Sequence, residues 1–96
     1  MDAAVLQEEI DEISVMMYQN REQEVLEKFG DVSEKLNQLV NALLSTKEGN
    51  GQEMDSFIIH MYQTLNQAYR HKDMLGMADC LQKYATLAIE LYKMKC

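Results

Sequence analysis

One stretch constrains the fold of this 96-residue chain more than any other: Thr46-Lys47-Glu48-Gly49-Asn50-Gly51-Gln52-Glu53, which sits between two long runs of helix-patterned residues. Gly49 suits the positive φ that ends a helix, and Lys47 in the preceding turn complements the negative end of the helix dipole. Asn50 with Glu53 three residues on makes a capping-box-like pair, and Asp55 adds negative charge where the next helix begins. The stretch reads as a reversal between two helical arms.

Nothing on either side of it argues for strands. The chain has no proline and four glycines, and it is 47% hydrophobic, with Leu, Glu, Gln, Ala, Met and Lys prominent. These are good helix formers, and no useful length of β-branched or aromatic alternation interrupts them. An all-α fold in one domain, 1–96, is expected.

Apolar residues recur at steps of three and four along both arms, the mark of a packed helical face. On the first arm these are Leu6, Ile10, Ile13, Met17, Val25, Phe29, Val32, Leu36, Leu39 and Leu43; the pattern thins at Tyr18–Glu24. Gly30 is a second candidate break, with Asp31 and Glu34 as a capping pair. On the second arm the face runs through Met54, Ile58, Met61, Leu65 and Ala68, then Leu75, Ala78, Leu81 or Gln82, Ala85, Ala88 and Tyr92. There Asp73 is placed to N-cap a helix that starts at Met74.

Folding the arms about the central turn pairs residues whose numbers sum to about 100, as an antiparallel hairpin requires. Apolar then meets apolar at nearly every level, and Arg21 falls opposite Asp79, a predicted interhelical ion pair worth about 1 kcal/mol. The architecture expected is an antiparallel hairpin with long, kinked arms, about 3–47 and 52–94, dimerising into a four-helix bundle. Arms of that length would be rods of roughly 65 Å, so the alternative is a compact monomeric four-helix bundle with breaks near Gly30 and Lys72.

Charge and motif patterns exclude several function classes. A net charge of −7 removes the usual drive to bind phosphate backbones, so nucleic acid is not an expected partner. No apolar run spans a bilayer, no basic amphipathic stripe suits an anionic surface, and the acidic N-terminus is unlike a signal peptide. A cytoplasmic protein without a membrane partner is expected, with Cys80 and Cys96 as reduced thiols. His60 and His71 lie about three turns apart on one helix, too far to share a metal, and phosphate loops, nucleophile elbows and calcium-loop spacings are missing. The expectation is a non-enzyme with no cofactor and no metal.

Methionine carries the most functional content: eight residues, several on or beside the apolar faces. Flexible thioethers let one groove accept differently shaped helices, although core filling is the more ordinary explanation of helically spaced methionines. Met61, Tyr62, Tyr69, Met74 and Met77 are the candidate partner-binding residues, with the two tyrosines one heptad apart. The segment Leu65–Leu81, with its Lys72-Asp73 corner, Ala78-Asp79 and Leu81, resembles a stretch of small helical accessory proteins of flagellated Firmicutes. That resemblance implies a helical accessory protein of the flagellar or type III export chaperone type, but it carries over no binding residues. The reading is a protein-binding module for a partner's amphipathic helix; the competing reading is a structural or regulatory homo-oligomer whose apolar surface is used in self-association.

Overall fold

The structure, a computed structural model, describes residues 2–45 and 51–95 and is all-α, with no strand among the described residues. Helix α1 spans Ala3–Tyr18, α2 Glu22–Ser45 and α3 Gly51–Arg70. The last rod begins as α4, Met74–Cys80, and passes through a π-helical turn, Leu81–Ala85, into α5, Thr86–Lys95. The molecule measures 40 × 24 × 17 Å, too short for unfolded arms of the expected length. Of the two all-α architectures, the compact four-helix one is therefore adopted, each arm being folded back at its middle. Lys47, Gly49, Asn50 and the Glu53 side chain, to which the central turn was assigned, lie outside the described residues.

Both arms fold by the same local device. Asn20 donates to the Met17 carbonyl at 3.0 Å and Arg21 to Met16 at 2.9 Å; Lys72 donates to Tyr69 at 3.1 Å and Asp73 to Ala68 at 2.8 Å. These nested bonds are Schellman caps, which need a left-handed residue just beyond the helix. Asn20 (φ 58°) and Lys72 (φ 53°) supply it. Asparagine tolerates that conformation, whereas a lysine there is strained by about 1 kcal/mol. Asp73 then starts α4 by accepting from the Gly76 N–H at 2.9 Å, as its sequence position suggested, while Asp2 caps α1 by accepting from Ala4 at 3.0 Å. The first break falls at Gln19–Arg21, where the apolar pattern thins, and not at Gly30, which is interior to α2.

Folding the arms leaves much of their pairing in place. Tyr62 donates its hydroxyl to Asn37, and Phe29 stacks on Tyr69 with centroids 5.0 Å apart. Further out, Tyr18 donates to Asp79 at 3.0 Å and Gln82 to Ser14 at 3.0 Å. The inner pairs keep the hairpin register, and the outer ones are a few residues out of step because each corner restarts its helix in a new phase. The corners themselves are bridged by Glu22 and Lys72, 3.8 Å apart. Within each arm the folded halves also meet: Lys35 pairs with Glu9, and His60 sits 3.2 Å from the Tyr84 hydroxyl.

One core results, built from the expected seam. Leu6, Ile10, Ile13, Met17, Val25, Leu36, Leu39 and Leu43 are buried on the first arm, and Ile58, Met61, Leu65 and Ala68 on the second. Beyond the Lys72 corner the buried face is Met74, Met77, Ala78, Leu81, Ala85, Ala88 and Ile89, whereas Leu75 is exposed. Ser14 is the buried polar residue of the described core, and it is satisfied by Gln82. The π-helical turn that carries Gln82 is held by Thr86, whose hydroxyl donates to the Leu81 carbonyl at 3.3 Å.

Two glycines give opposite expectations for one substitution. A Cβ at Gly30 meets nothing within 4 Å, so Gly30→Ala should stabilise by about 1 kcal/mol through helix propensity alone. A Cβ at Gly76 would lie 2.5 Å from the Asp73 carboxylate. The carboxylate must then leave its N–H, and a lost cap of about 1 kcal/mol offsets the propensity gain. Urea unfolding should show no gain for Gly76→Ala in the native sequence, and a gain of less than about 1 kcal/mol in an Asp73→Ala background, where the Ala68 Cβ at 3.3 Å still crowds the new methyl.

Candidate functional site

At the corner end of the bundle the start of α2, the end of α3 and the start of α4 leave a cleft of about 240 Å³. Glu22, Leu26, Tyr69, Lys72, Met74 and Met77 line it. Met74 and Met77 form a buried floor, 8% and 1% exposed, while Leu26 and Tyr69 are half-exposed walls at 50% and 40%. The Phe29 ring holds the Tyr69 ring flat at an interplanar angle of 16°. The Glu22–Lys72 pair stands at the mouth. The result is an apolar slot with one adaptable side, the thioethers, and one rigid side, the stacked tyrosine.

Three of the five residues singled out from sequence, Tyr69, Met74 and Met77, thus converge on one cleft. The other two lie elsewhere. Met61 is fully buried in the core, where its carbonyl accepts from the Cys80 thiol at 3.5 Å. Tyr62 is half-buried and spent on Asn37, and burial raises its phenol above the ordinary value. Leu26, Glu22 and Lys72 were not singled out for the site. The signal for Leu26 was its place outside the seam of its arm; that for Glu22 and Lys72 was only their adjacency to the corners.

Arg21 and Asp79 do not pair with each other. The Arg21 guanidinium bonds to Gln19 at 3.1 Å and pairs with Glu24, closing its own corner, while Asp79 accepts from Tyr18. That bond to the Asp79 carboxylate raises the Tyr18 phenol. The pairing expected from straight arms is lost because the chain turns at Arg21 itself.

A second cleft, of about 300 Å³, separates α1 from α2 and is lined by Glu9, Glu12, Glu27, Lys28, Asp31 and Val32. Lys35 joins its end through Glu9 and through Asp31 at 3.3 Å, and the bond to Glu9 is the main cause of its raised ammonium. Lys28 lies 3.9 Å from Glu12. Among the described residues no three acidic, histidine or cysteine side chains gather as a metal site, and no helix is long and apolar enough to cross a membrane.

Cys80 is buried, and desolvation pushes its thiol up from 9.0 to about 11. The thiol is neutral in both states below pH 9; between about 9 and 11 it ionises only in the unfolded chain, so stability falls as pH rises through that window. Cys80→Ala should remove this first part of the alkaline loss in pH-dependent urea titrations. In a Cys96→Ser background, a thiol reagent at pH 8 should label Cys80 only after unfolding.

Comparison with curated proteins and with solved structures gives no match for the chain. Its affiliation rests on residues 4–95, which match one family over nearly the whole fold: the chain belongs to the family described as a domain of unknown function, DUF8042.

Proposed function

We propose that the chain is a non-enzymatic protein-binding module, a chaperone or accessory protein that receives an amphipathic helix of a partner at the corner cleft. The resemblance of Leu65–Leu81 adds a cytoplasmic flagellar or secretion setting to this reading. The observation that supports it best is a cleft with half-exposed Leu26 and Tyr69 as walls over a floor of Met74 and Met77. At about 240 Å³ it falls below the range of roughly 300–1,000 Å³ for small-molecule sites and suits one or two anchoring side chains. Methionine at the floor fits adaptable recognition, and a stacked tyrosine fits the role of interface anchor.

A second reading, self-association into a homodimer, draws support from exposed apolar residues away from the cleft, among them Val5, Val15, Ile59 and Leu87. Light scattering with and without candidate helical peptides separates the two. The first reading expects a peptide complex that Leu26→Glu abolishes without loss of helicity. A tight dimer that takes up no peptide would favour the second.

A further inference from the structure

Charge is distributed unevenly between the two arms. Residues 1–45 hold ten acidic residues against three basic ones, Arg21, Lys28 and Lys35, which accounts for the whole net charge of −7; residues 46–96 hold six of each. The acidic arm supplies the Leu26 wall of the cleft. On α2, Leu26 and Gly30 are one turn apart, Glu27 and Glu34 flank Gly30 at i−3 and i+4, and Asp31 follows it. Leu26, Glu27, Gly30, Asp31 and Glu34 are all exposed, so the outer face of α2 has the apolar cleft on one side and the acidic α1–α2 cleft on the other.

Gly30 stands between the two. It weakens the helix it sits in, and no atom within 4 Å explains the missing side chain. Small residues on a helix face let a second helix approach closely.

We infer that the partner is a basic amphipathic helix of another protein, which crosses α2 over Gly30, anchors an apolar side chain against Leu26 and Tyr69, and sets Lys or Arg against Glu27 and Glu34, with Asp31 already held by Lys35. This rests on the cleft reading above and adds the charge and the crossing point. The carboxylates steer a cationic partner and reject an acidic one, an effect that salt screens.

The probes are two fluorescein-labelled 18-residue designed helices with the same leucine face, one flanked by Lys and Arg and the other by Glu, titrated by anisotropy onto the full chain. The basic peptide should bind at least tenfold more tightly at 50 mM salt, and the preference should shrink at 500 mM. Gly30→Leu should weaken the basic peptide at least tenfold while leaving the thermal midpoint at or above that of the parent. Glu27→Lys should weaken it about fivefold, and Leu26→Glu should abolish it. Equal binding of both peptides, still lost with Leu26→Glu, would overturn the basic-partner inference and leave the cleft reading intact. Full binding to Gly30→Leu would overturn the crossing point. Binding indifferent to Leu26→Glu, binding of neither peptide, or a dimer that protects Leu26 would overturn both readings.

Discussion

Replacing Leu39 with alanine is expected to lower the unfolding free energy by about 3 kcal/mol. Leu39 is fully buried on α2, between Leu36 and Leu43, at the levels set by the Tyr62–Asn37 bond. The loss has two parts, the transfer free energy of the deleted methyls and the void left behind. Flexible Met61, held near this level of the core by the neighbouring Tyr62–Asn37 bond, can lean into such a void, which places the value toward the lower half of the usual 2–5 kcal/mol range. A chain of this length is worth roughly 5–14 kcal/mol in all, so the shift is easily read in a urea melt. Leu75→Ala is the control, because Leu75 is 58% exposed and should change stability by no more than about 0.5 kcal/mol. Similar losses at both positions would mean that Leu75, and not Met74, lies on the buried face of α4.

Ala88→Leu is the second large expectation, a loss of about 3 kcal/mol by overpacking. Ala78, Ala85 and Ala88 are completely buried along the last rod, and α5 packs against α2 as well as α1. Alanine there allows the close approach; a leucine must push the rods apart or leave its rotamer wells, and interiors packed at crystal density resist both. Ala88→Gly should cost only the propensity difference and a small void, about 1–2 kcal/mol. If the leucine variant were as stable as the parent, α5 would have to lie looser against α2 than described.

Much of the fold could be read from the residues, since apolar spacing is set by burial and burial decides the helices. Apart from Phe29, which is half-buried, the seam from Leu6 to Leu43 and from Ile58 to Ala68 is buried as its three-and-four spacing implied. Asp73 caps its helix for the reason visible in the sequence. The first corner was harder to place because Asn20, and not a glycine, takes the left-handed position; Gly30, the more familiar breaker, stays helical. The same cause moved only the start of the face after Lys72: a Schellman cap followed by a fresh N-cap restarts the helix, so Met74 and Met77 turn inward and Leu75 outward, while Ala78, Leu81, Ala85 and Ala88 are buried as their spacing implied. Arg21 opposite Asp79 was an inference from straight arms, and it failed where the arm turns.

The candidate site was legible only in part, since Tyr69, Met74 and Met77 are near neighbours in sequence while Leu26 lies more than forty residues before them. Sequence spacing cannot distinguish a methionine that floors a cleft from one that fills a core. Met61, at the same helical spacing, is the latter.

The corner at Lys72 is what makes the cleft, and ring-to-ring nuclear Overhauser effects in α3 and the last rod test it most directly. The Tyr84 ring lies 5.3 Å from His60 and 6.1 Å from Phe57. In an unbroken helical arm, His60 and Tyr84 would be about 36 Å apart. Cross-peaks from Tyr84 to both rings are predicted, and they should be missing from an isotope-filtered spectrum of mixed labelled and unlabelled chains, which selects contacts between molecules. Their absence from the ordinary spectrum, or their appearance in the filtered one, would mean that the arms are extended and the contacts, if any, lie between chains.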